Sequence, residues 1–323
     1  MKRFIFKRLE KLATKDIDNF TSDFGLAVRR VIHAPISLVY RIVLKVFYKK
    51  TVVVDRKAKL KKHTSYVFAC NHSFYFDGAG VISTIDRNFY SLFGATEQLH
   101  VEFRTVFIWL NGLIYVDRFN KQSRKDSVKK MSRVLQAGNS IMIFPEGRWN
   151  DSENLLCQKL FAGPYNLSVQ NKVEVVPVSI YNGDDNHIYV SYGEPLKLYE
   201  YDNKDKAIQV LRDNLATLYY KQIEDHSKPL KRGKLKGDIH FNYMDERMEE
   251  YSKAHWPSDY CWDDELFDYK AGDVDLEDVW EDIDKVNINI KNIDKFKDIL
   301  QELARRKKYN FKDYMNENYK KKY

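Results

Sequence analysis

The chain has 323 residues, 44% of them hydrophobic and 31% charged; these values exclude wholesale disorder and allow a sizeable buried core. Its net charge is +8, and the basic excess lies at the start, where residues 1–62 hold 17 Lys or Arg against 5 Asp or Glu. Such a segment fits an anionic membrane surface or a nucleic acid. The three cysteines are far apart and form no CxxC pair, which argues against a disulfide framework or zinc ribbon and fits a reduced, cytosolic setting.

The first 50 residues are predicted to associate with a membrane. The start is too often charged for a signal peptide, and no clean apolar run of membrane-spanning length follows it. Residues 24–50 repeat apolar residues at helical spacing between Arg and Lys, and Pro35 is expected to divide them into two amphipathic helices. We interpret residues 1–50 as basic helices on the cytoplasmic face of a membrane, peripheral or monotopic. The alternative is a basic surface helix packed on the protein's own core.

From residue 51 onward, strand-like and helix-like segments alternate. Alternation of this kind favours an α/β fold, with a largely parallel sheet flanked by helices. We assign residues 51–224 to this domain. Its predicted strands lie at 51–55, 65–71, 89–95, 113–118, 140–147, 173–181 and 187–195, and its predicted helices follow Asp77, cover 123–138 and lie around 162–170.

The composition changes near residue 225. Residues 228–238 are basic and contain glycine, residues 258–285 are acidic and aromatic, and the end of the chain is helical in pattern and then basic. We predict that residues 225–323 form a mostly helical or irregular extension. No motif in it indicates a role.

His72 and Asp77 are the first candidate for chemistry. They follow a strand-like run, and α/β proteins place their binding clefts at the carboxyl ends of such strands. A carboxylate that accepts one ring N–H fixes the tautomer of a histidine and leaves the other nitrogen free to take a proton. On a continuous helix the two residues would lie about 140° apart. The pair therefore requires a turn, with His72 outside the following helix and Asp77 in its first turns.

Two further blocks carry polar residues at predicted strand ends. Gly112 precedes a strand that ends at Arg118, whose planar guanidinium suits a phosphate, although a surface ion pair is the usual fate of such an arginine. After the next buried strand, Glu146 is a candidate to bind an acceptor hydroxyl or to orient Arg118 or Arg148, and Gly147 permits a tight turn.

The last block is Val175-Val176-Pro177-Val178-Ser179. Proline within a strand pattern predicts an edge strand or a bulge facing a cleft. By itself this block has little weight.

In their order and spacing, the four blocks resemble those of the lysophospholipid acyltransferase superfamily, which is also called PlsC-like or 1-acylglycerol-3-phosphate O-acyltransferase-like. NHSFYFD matches its NHxxxxD block, GLIYVDR its GxxFIxR block, FPEGRWN its FPEGTRS block and VVPVSI its VPV block. The resemblance covers roughly residues 25–215.

The resemblance implies a glycerolipid O-acyltransferase that moves a fatty acyl group from acyl-CoA or acyl carrier protein to the free hydroxyl of a lysophospholipid. Transfer would be direct, with His72 as general base and Asp77 as its partner, and without a metal or other cofactor. The implied partners are a membrane lipid surface and the acyl carrier, not a nucleic acid. Acceptor and phosphate contacts fall to Gly112, Arg118, Glu146, Gly147 and Arg148, and supporting roles to Asn71, Phe144, Pro145 and Pro177.

Other interpretations stay open. Arg148 and Trp149 stand where the family has Thr-Arg, so the acceptor is alternatively a different lipid or glycolipid hydroxyl or amine. Cys70 is close enough to His72 to suggest a covalent route, but we favour a buried, small hydrophobic role for it. A third interpretation is a non-catalytic basic protein that binds membranes or nucleic acid, although no helix-turn-helix, RRM or zinc-finger signature accompanies the charge.

Overall fold

The structure, a computed structural model, describes residues 22–56, 58–74, 76–94, 110–117, 120–150, 155–183 and 185–228. All of them lie in the first of the two units, Met1–Pro257 and Ser258–Tyr323, into which the chain divides. Arg118 and all but the first four residues of the predicted C-terminal extension lie outside the described residues. The predicted domain boundaries therefore stay predictions.

The described residues form five α-helices and seven strands, which alternate for most of the chain. In chain order they are α1 (Asp23–Phe47), β1 (Thr51–Arg56), β2 (Tyr66–Cys70), α2 (Asp77–Thr84), β3 (Phe89–Phe93), β4 (Leu113–Tyr115), α3 (Lys121–Gln136), β5 (Ser140–Ile143), α4 (Gly163–Asn171), β6 (Glu174–Asn182), β7 (His187–Tyr192), a 3-10 turn (Leu198–Glu200) and α5 (Lys204–His226).

The seven strands form one sheet in the order β1-β7-β6-β2-β5-β3-β4. Every neighbouring pair is parallel except β6 and β7, which are antiparallel. The predicted α/β fold with a largely parallel sheet is confirmed. Because β2 and β5 are adjacent and parallel, the turns that follow them leave the sheet at the same edge.

Strand β2 shows why the sheet needs helices on both faces. All five of its residues are fully buried, as expected for a central parallel strand covered on both sides. Tyr66, Phe68 and Cys70 pack in the cluster that contains residues of α1 and α2. Val67 and Ala69 point to the other side, where the cluster contains residues of α3, α4 and α5. This alternation is the two-residue period of a strand.

Helix α1 corrects the prediction of two helices broken at Pro35. It runs unbroken from Asp23 to Phe47 with Pro35 inside it. Pro35 lies on the exposed side of the helix, and so does Val31. The carbonyl of Val31, which loses its partner because proline has no N–H, can therefore bond to water. The packing of the opposite face holds the helix together across the proline.

That opposite face buries a row of residues at helical spacing against the protein's own core. His33 shows how closely it is fitted, since its Nε2 lies 3.0 Å from the Ile85 carbonyl oxygen and its Nδ1 lies 2.6 Å from Asn111 Oδ1. The buried row consists of Leu26, Arg29, His33, Ile36, Tyr40 and Leu44. No described helix has the length and apolar character that crossing a membrane requires.

Pro177 occupies an interior strand, so the prediction of an edge strand is wrong. It lies in β6, between β2 and β7. The antiparallel pairing of β6 shifts by one residue beyond the end of β7, since Val178 pairs with Tyr192 but Val175 forms an isolated bridge with Leu196. The strand with proline thus has one residue fewer than its partner here, and the missing N–H falls at this irregularity.

Candidate active site

His72 and Asp77 meet across the turn between β2 and α2. Strand β2 ends at Cys70 and α2 begins at Asp77, so the two side chains come together without a continuous helix between them. His72 Nδ1 lies 2.8 Å from Asp77 Oδ2. The contact required by the spacing of the two residues is therefore present in the structure.

The carboxylate of Asp77 is buried, and its hydrogen bonds among the described residues all go to one oxygen, Oδ2. Its Oδ2 also accepts the backbone N–H groups of Ser73 and Phe74, at 2.6 and 3.1 Å. Asp77 is the first residue of α2, where the helix dipole favours a negative charge. Three donors on one oxygen, at a helix N-terminus, stabilise the ionised carboxylate. An ionised Oδ2 requires that Nδ1 of His72 carries the proton.

The ring of His72 is held between aromatic side chains and keeps one nitrogen available. It stacks on Phe144 at a centroid distance of 4.2 Å and an angle of 20°, and Trp149 meets it edge-on at 5.8 Å. The side chain is 25% exposed, and within the part of the chain that the structure describes Nε2 makes no hydrogen bond. With Nδ1 protonated, Nε2 is the lone-pair nitrogen that can accept a proton.

Asn71 fixes the start of this turn. Its Oδ1 accepts the Ile180 N–H at 2.7 Å, and its Nδ2 donates to the Ile180 carbonyl at 3.2 Å. The side chain thus imitates a strand residue and continues the pairing of β2 with β6 beyond Cys70. The supporting role implied for Asn71 stays a prediction.

Glu146 is buried, and both of its carboxylate oxygens are already bonded. Oε1 accepts the backbone N–H of His72 at 3.0 Å, and Oε2 accepts the backbone N–H of Gln158 at 2.8 Å. The side chain is 2% exposed, and burial raises its pKa to about 7. This geometry argues against the expected contact with an acceptor hydroxyl. Glu146 does not orient Arg148 either, since Arg148 Nε donates to Gln158 Oε1 at 2.8 Å.

The rest of the segment after β5 is a turn that favours glycine at position 147. Gly147 has a φ of +70°, and its N–H donates to the Phe144 carbonyl at 3.0 Å. A Cβ on Gly147 would lie 2.5 Å from the ring of Phe161. Phe161 is in turn anchored by its own N–H to the Pro145 carbonyl at 2.8 Å. Phe144, Pro145 and Gly147 therefore shape the segment that lies against His72.

Gly112 does not lie with the other predicted site residues. It precedes β4 at φ +130°, and a Cβ there would lie 2.8 Å from the ring of Tyr90. Register pairing through Tyr90 and Ile141 puts it level with Val67 of β2. That is five residues before His72, or roughly 16 Å along the strand. Close packing on the ring of Tyr90, and not contact with a ligand, explains why position 112 is glycine.

Cys70 is fully buried in the core cluster of α1 and α2. Burial, and secondarily the charge of Asp77, raises the pKa of its thiol well above the usual range. A thiol that stays protonated is a poor nucleophile. The structure agrees with the small, hydrophobic role predicted for it.

The sheet and its His–Asp pair define an α/β domain whose candidate site, a histidine oriented by a buried carboxylate, lies at the carboxyl ends of parallel strands. The comparison with protein families indicates the type of domain. Residues 51–181 match the model of the family described as Acyltransferase, which confirms the resemblance predicted from the four motif blocks.

Curated relatives of the chain are also named as acyltransferases. An uncharacterized acyltransferase of Schizosaccharomyces pombe is 26% identical over 169 residues, which cover 51% of this chain and 56% of that protein. A 1-acyl-sn-glycerol-3-phosphate acyltransferase of Borreliella burgdorferi is 24% identical over 51% of this chain and 70% of its own length. The chain thus matches little more than half of the yeast relative.

The fold has a counterpart among crystal structures. The 1-acyl-sn-glycerophosphate (LPA) acyltransferase PlsC from Thermotoga maritima superposes with a TM-score of 0.52 and 13% sequence identity. The match covers 71% of this chain and all of that one. At this identity the likeness shows the fold alone.

Proposed function

We propose that this protein is a glycerolipid O-acyltransferase that moves a fatty acyl group from a thioester donor to the free hydroxyl of a lysophospholipid. The observation that carries the proposal is the His72–Asp77 pair, with its oriented ring and available Nε2, inside an acyltransferase domain. The printed activity of the Borreliella burgdorferi relative supports a 1-acylglycerol-3-phosphate-like acceptor.

The proposed reaction is one direct transfer. Nε2 of His72 removes the proton of the acceptor hydroxyl as its oxygen attacks the carbonyl carbon of the thioester. The C–S bond then breaks, an ester forms, and the departing thiolate takes the proton back from the imidazolium. Asp77 stabilises that imidazolium and holds the ring in the correct tautomer. An acyl thioester is already activated, so the step calls for no metal; the donor is acyl-CoA or acyl carrier protein.

The segment after β5 favours a second candidate function, transfer to a different lipid or glycolipid hydroxyl or amine. Arg148 stands where the family has threonine, and its Nε donates a hydrogen bond to Gln158. Trp149 stands where the family has arginine, and its indole meets the ring of His72 edge-on. In this segment the side chains that contact His72 are therefore the aromatic rings of Phe144 and Trp149. An aromatic surface suits a different acceptor headgroup than a guanidinium group would.

We also propose that α1 holds the enzyme on a lipid surface. Its outer face is an apolar stripe in which every residue is at least 40% exposed, opposite the buried row. Arg30 and Arg41 bond to the protein's own carbonyls, whereas Lys45 and Lys49 remain exposed on this helix and just after it. An apolar stripe beside lysines suits the interface of an anionic membrane. The stripe consists of Phe24, Val28, Val31, Leu38, Ile42 and Val46.

The test of the activity is acyl transfer by purified protein with labelled acyl-CoA or acyl carrier protein and a panel of acceptors. Ester formed on lysophosphatidate, and lost in His72→Ala, is the expected result. Product on a glycolipid or amine acceptor, with none on lysophospholipids, would select the second candidate. No transfer to any acceptor would overturn both.

The lipid surface is tested separately, because deletion of α1 would also remove core residues. The double variant Val31→Asn/Leu38→Asn changes only exposed positions. It should bind vesicles of anionic phospholipid several-fold more weakly than the wild type while it acylates a detergent-dispersed acceptor at an unchanged rate. Unchanged vesicle binding would contradict the role of the stripe.

A further inference from the structure

Glu146 joins two segments that meet beside the base. One carboxylate oxygen takes the N–H of His72 and the other takes the N–H of Gln158. Bonds from backbone N–H groups to a carboxylate are charge-assisted and short, and they fix direction as well as distance. Both oxygens of Glu146 therefore accept a backbone N–H, and the side chain is only 2% exposed to a ligand.

The backbone of His72 is held from both sides by the segment that carries Glu146. Its N–H goes to Glu146, and its carbonyl accepts the N–H of Asn150 at 2.7 Å. The ring of the same residue is oriented by Asp77 and stacked on Phe144. Asp77 and Phe144 set the direction of the ring, whereas Glu146 and Asn150 set the place of the peptide from which the ring extends.

The second arm of Glu146 extends this support to the loop before α4. Gln158, whose N–H is bound to Glu146, accepts Arg148 Nε on its own side chain. Arg212 of α5 donates two hydrogen bonds to the carbonyl of the neighbouring residue, Cys157, at 2.9 and 3.1 Å. The loop is therefore fixed to the turn after β5 on one side and to α5 on the other.

We propose that Glu146 is a positioning residue for the base, and not a ligand of the acceptor. The inference rests on the proposed function, in which His72 is the base. It assigns the two oxygens of this side chain, each of which accepts a backbone N–H, to the placement of the His72 peptide. Reaction rate depends steeply on such placement, since a displacement of about 1 Å can cost on the order of 10²-fold.

The variant that isolates this role is Glu146→Gln. Glutamine keeps one carbonyl oxygen but presents an NH₂ group to the second N–H, so one buried donor loses its partner. The expected result is a kcat lowered by on the order of 10²-fold with the acceptor KM changed by less than about threefold. Glu146→Asp keeps the charge but is one methylene shorter, and it should recover part of kcat. A raised acceptor KM with unchanged kcat would identify a ligand and overturn the proposal.

The matched control is Glu194→Gln, the same chemical change at an exposed carboxylate just after β7. It should leave both kinetic constants unchanged. If Glu194→Gln lowers kcat as much as Glu146→Gln does, the effect is not specific to the position of the base and the proposal fails.

A readout without catalysis separates this proposal from the proposed function. Residue-resolved amide hydrogen exchange of the wild-type protein should show slow exchange at the N–H groups of His72 and Gln158. In Glu146→Gln at least one of them should exchange roughly tenfold faster, the equivalent of one lost hydrogen bond. Fast exchange in the wild type, or no change in the variant, would overturn the proposal that Glu146 holds these two N–H groups. If no acceptor is acylated, the proposed function fails while this measurement still decides the role of Glu146.

Discussion

The turn after β2 and the turn after β5 begin alike and use their titratable side chains in opposite ways. Both leave the same edge of the sheet, and both carry a motif residue within three positions of the strand. The His72 side chain is 25% exposed and its Nε2 makes no hydrogen bond among the described residues, whereas Glu146 is 2% exposed with both oxygens bonded to backbone N–H groups. A polar residue at a strand end is therefore a candidate for contact with substrate only where its side chain keeps a donor or acceptor that is not hydrogen-bonded within the protein.

Replacement of His72 by alanine should produce the largest effect and tests the exposed half of this comparison. Loss of a general base lowers kcat by ~10²–10⁴-fold. Asp77→Asn should cost less, because an amide oxygen can take the place of Oδ2 and keep the three bonds while the negative charge is lost. Both are measured as kcat with labelled acyl thioester. Turnover by His72→Ala at the wild-type rate would remove the base from the mechanism.

The buried half of the comparison predicts a dependence of stability on pH. Burial raises the pKa of Glu146 from 4.5 to about 7, although the hydrogen bonds from the N–H groups of Gln158 and His72 oppose this rise. Between these values the folded protein holds a proton that the unfolded chain has released, so the free energy of unfolding falls as pH rises. The loss over this window is on the order of 3 kcal/mol and is complete above pH 7.

Urea unfolding of the wild type and of Glu146→Gln at pH 5 and pH 8 measures this effect. The wild type should lose more stability between the two pH values than the variant, because glutamine does not titrate. Cys157, a further titratable group that interacts with Glu146, has a pKa raised by burial beyond this window and stays neutral. Equal losses in both proteins would show that Glu146 has an ordinary pKa and is not as buried as the structure has it.

Two glycine substitutions test whether the turn after β5 requires glycine. Gly147→Ala should destabilise the protein by ~1–3 kcal/mol, because φ is +70° and the added Cβ meets the Phe161 ring. Gly78, in the first turn of α2, has nothing within 4 Å of an added Cβ. Gly78→Ala should therefore be neutral or stabilising by up to about 1 kcal/mol. Thermal unfolding compares the two, and equal effects would mean that the turn can relax around a side chain.

The residues show why parts of the fold were predictable from sequence. Strands such as β2 and β5 are short apolar runs that end at polar motifs, and their alternation with helices sets the parallel sheet. The five-residue interval from His72 to Asp77 predicts a turn because a helix cannot bring the two together. Helix α5 was not predicted, although Asn203 as N-cap and the four-residue spacing of Ala207, Leu211 and Leu215 were available signals.

Other features depend on contacts that no local pattern contains. The continuity of α1 through Pro35 comes from packing of its buried face, and the level of Gly112 comes from strand register. Whether a carboxylate such as Glu146 faces a ligand or two backbone N–H groups is decided by a loop twelve residues later in the chain. Motif identity placed Glu146 at the correct strand end but could not give its direction.

The smallest expected effect belongs to Cys70→Ala and tests whether nearness to the base is enough for chemistry. Cys70 lies two residues before His72 but faces the core of α1 and α2, and burial keeps its thiol protonated. The substitution should leave kcat within about twofold and cost about 1 kcal/mol of stability through the lost sulfur contacts. A loss of kcat beyond tenfold, with folding intact, would bring back a covalent acyl-enzyme route. Retained turnover would show that Cys70, like Glu146, is a buried group that contacts the protein and not the substrate.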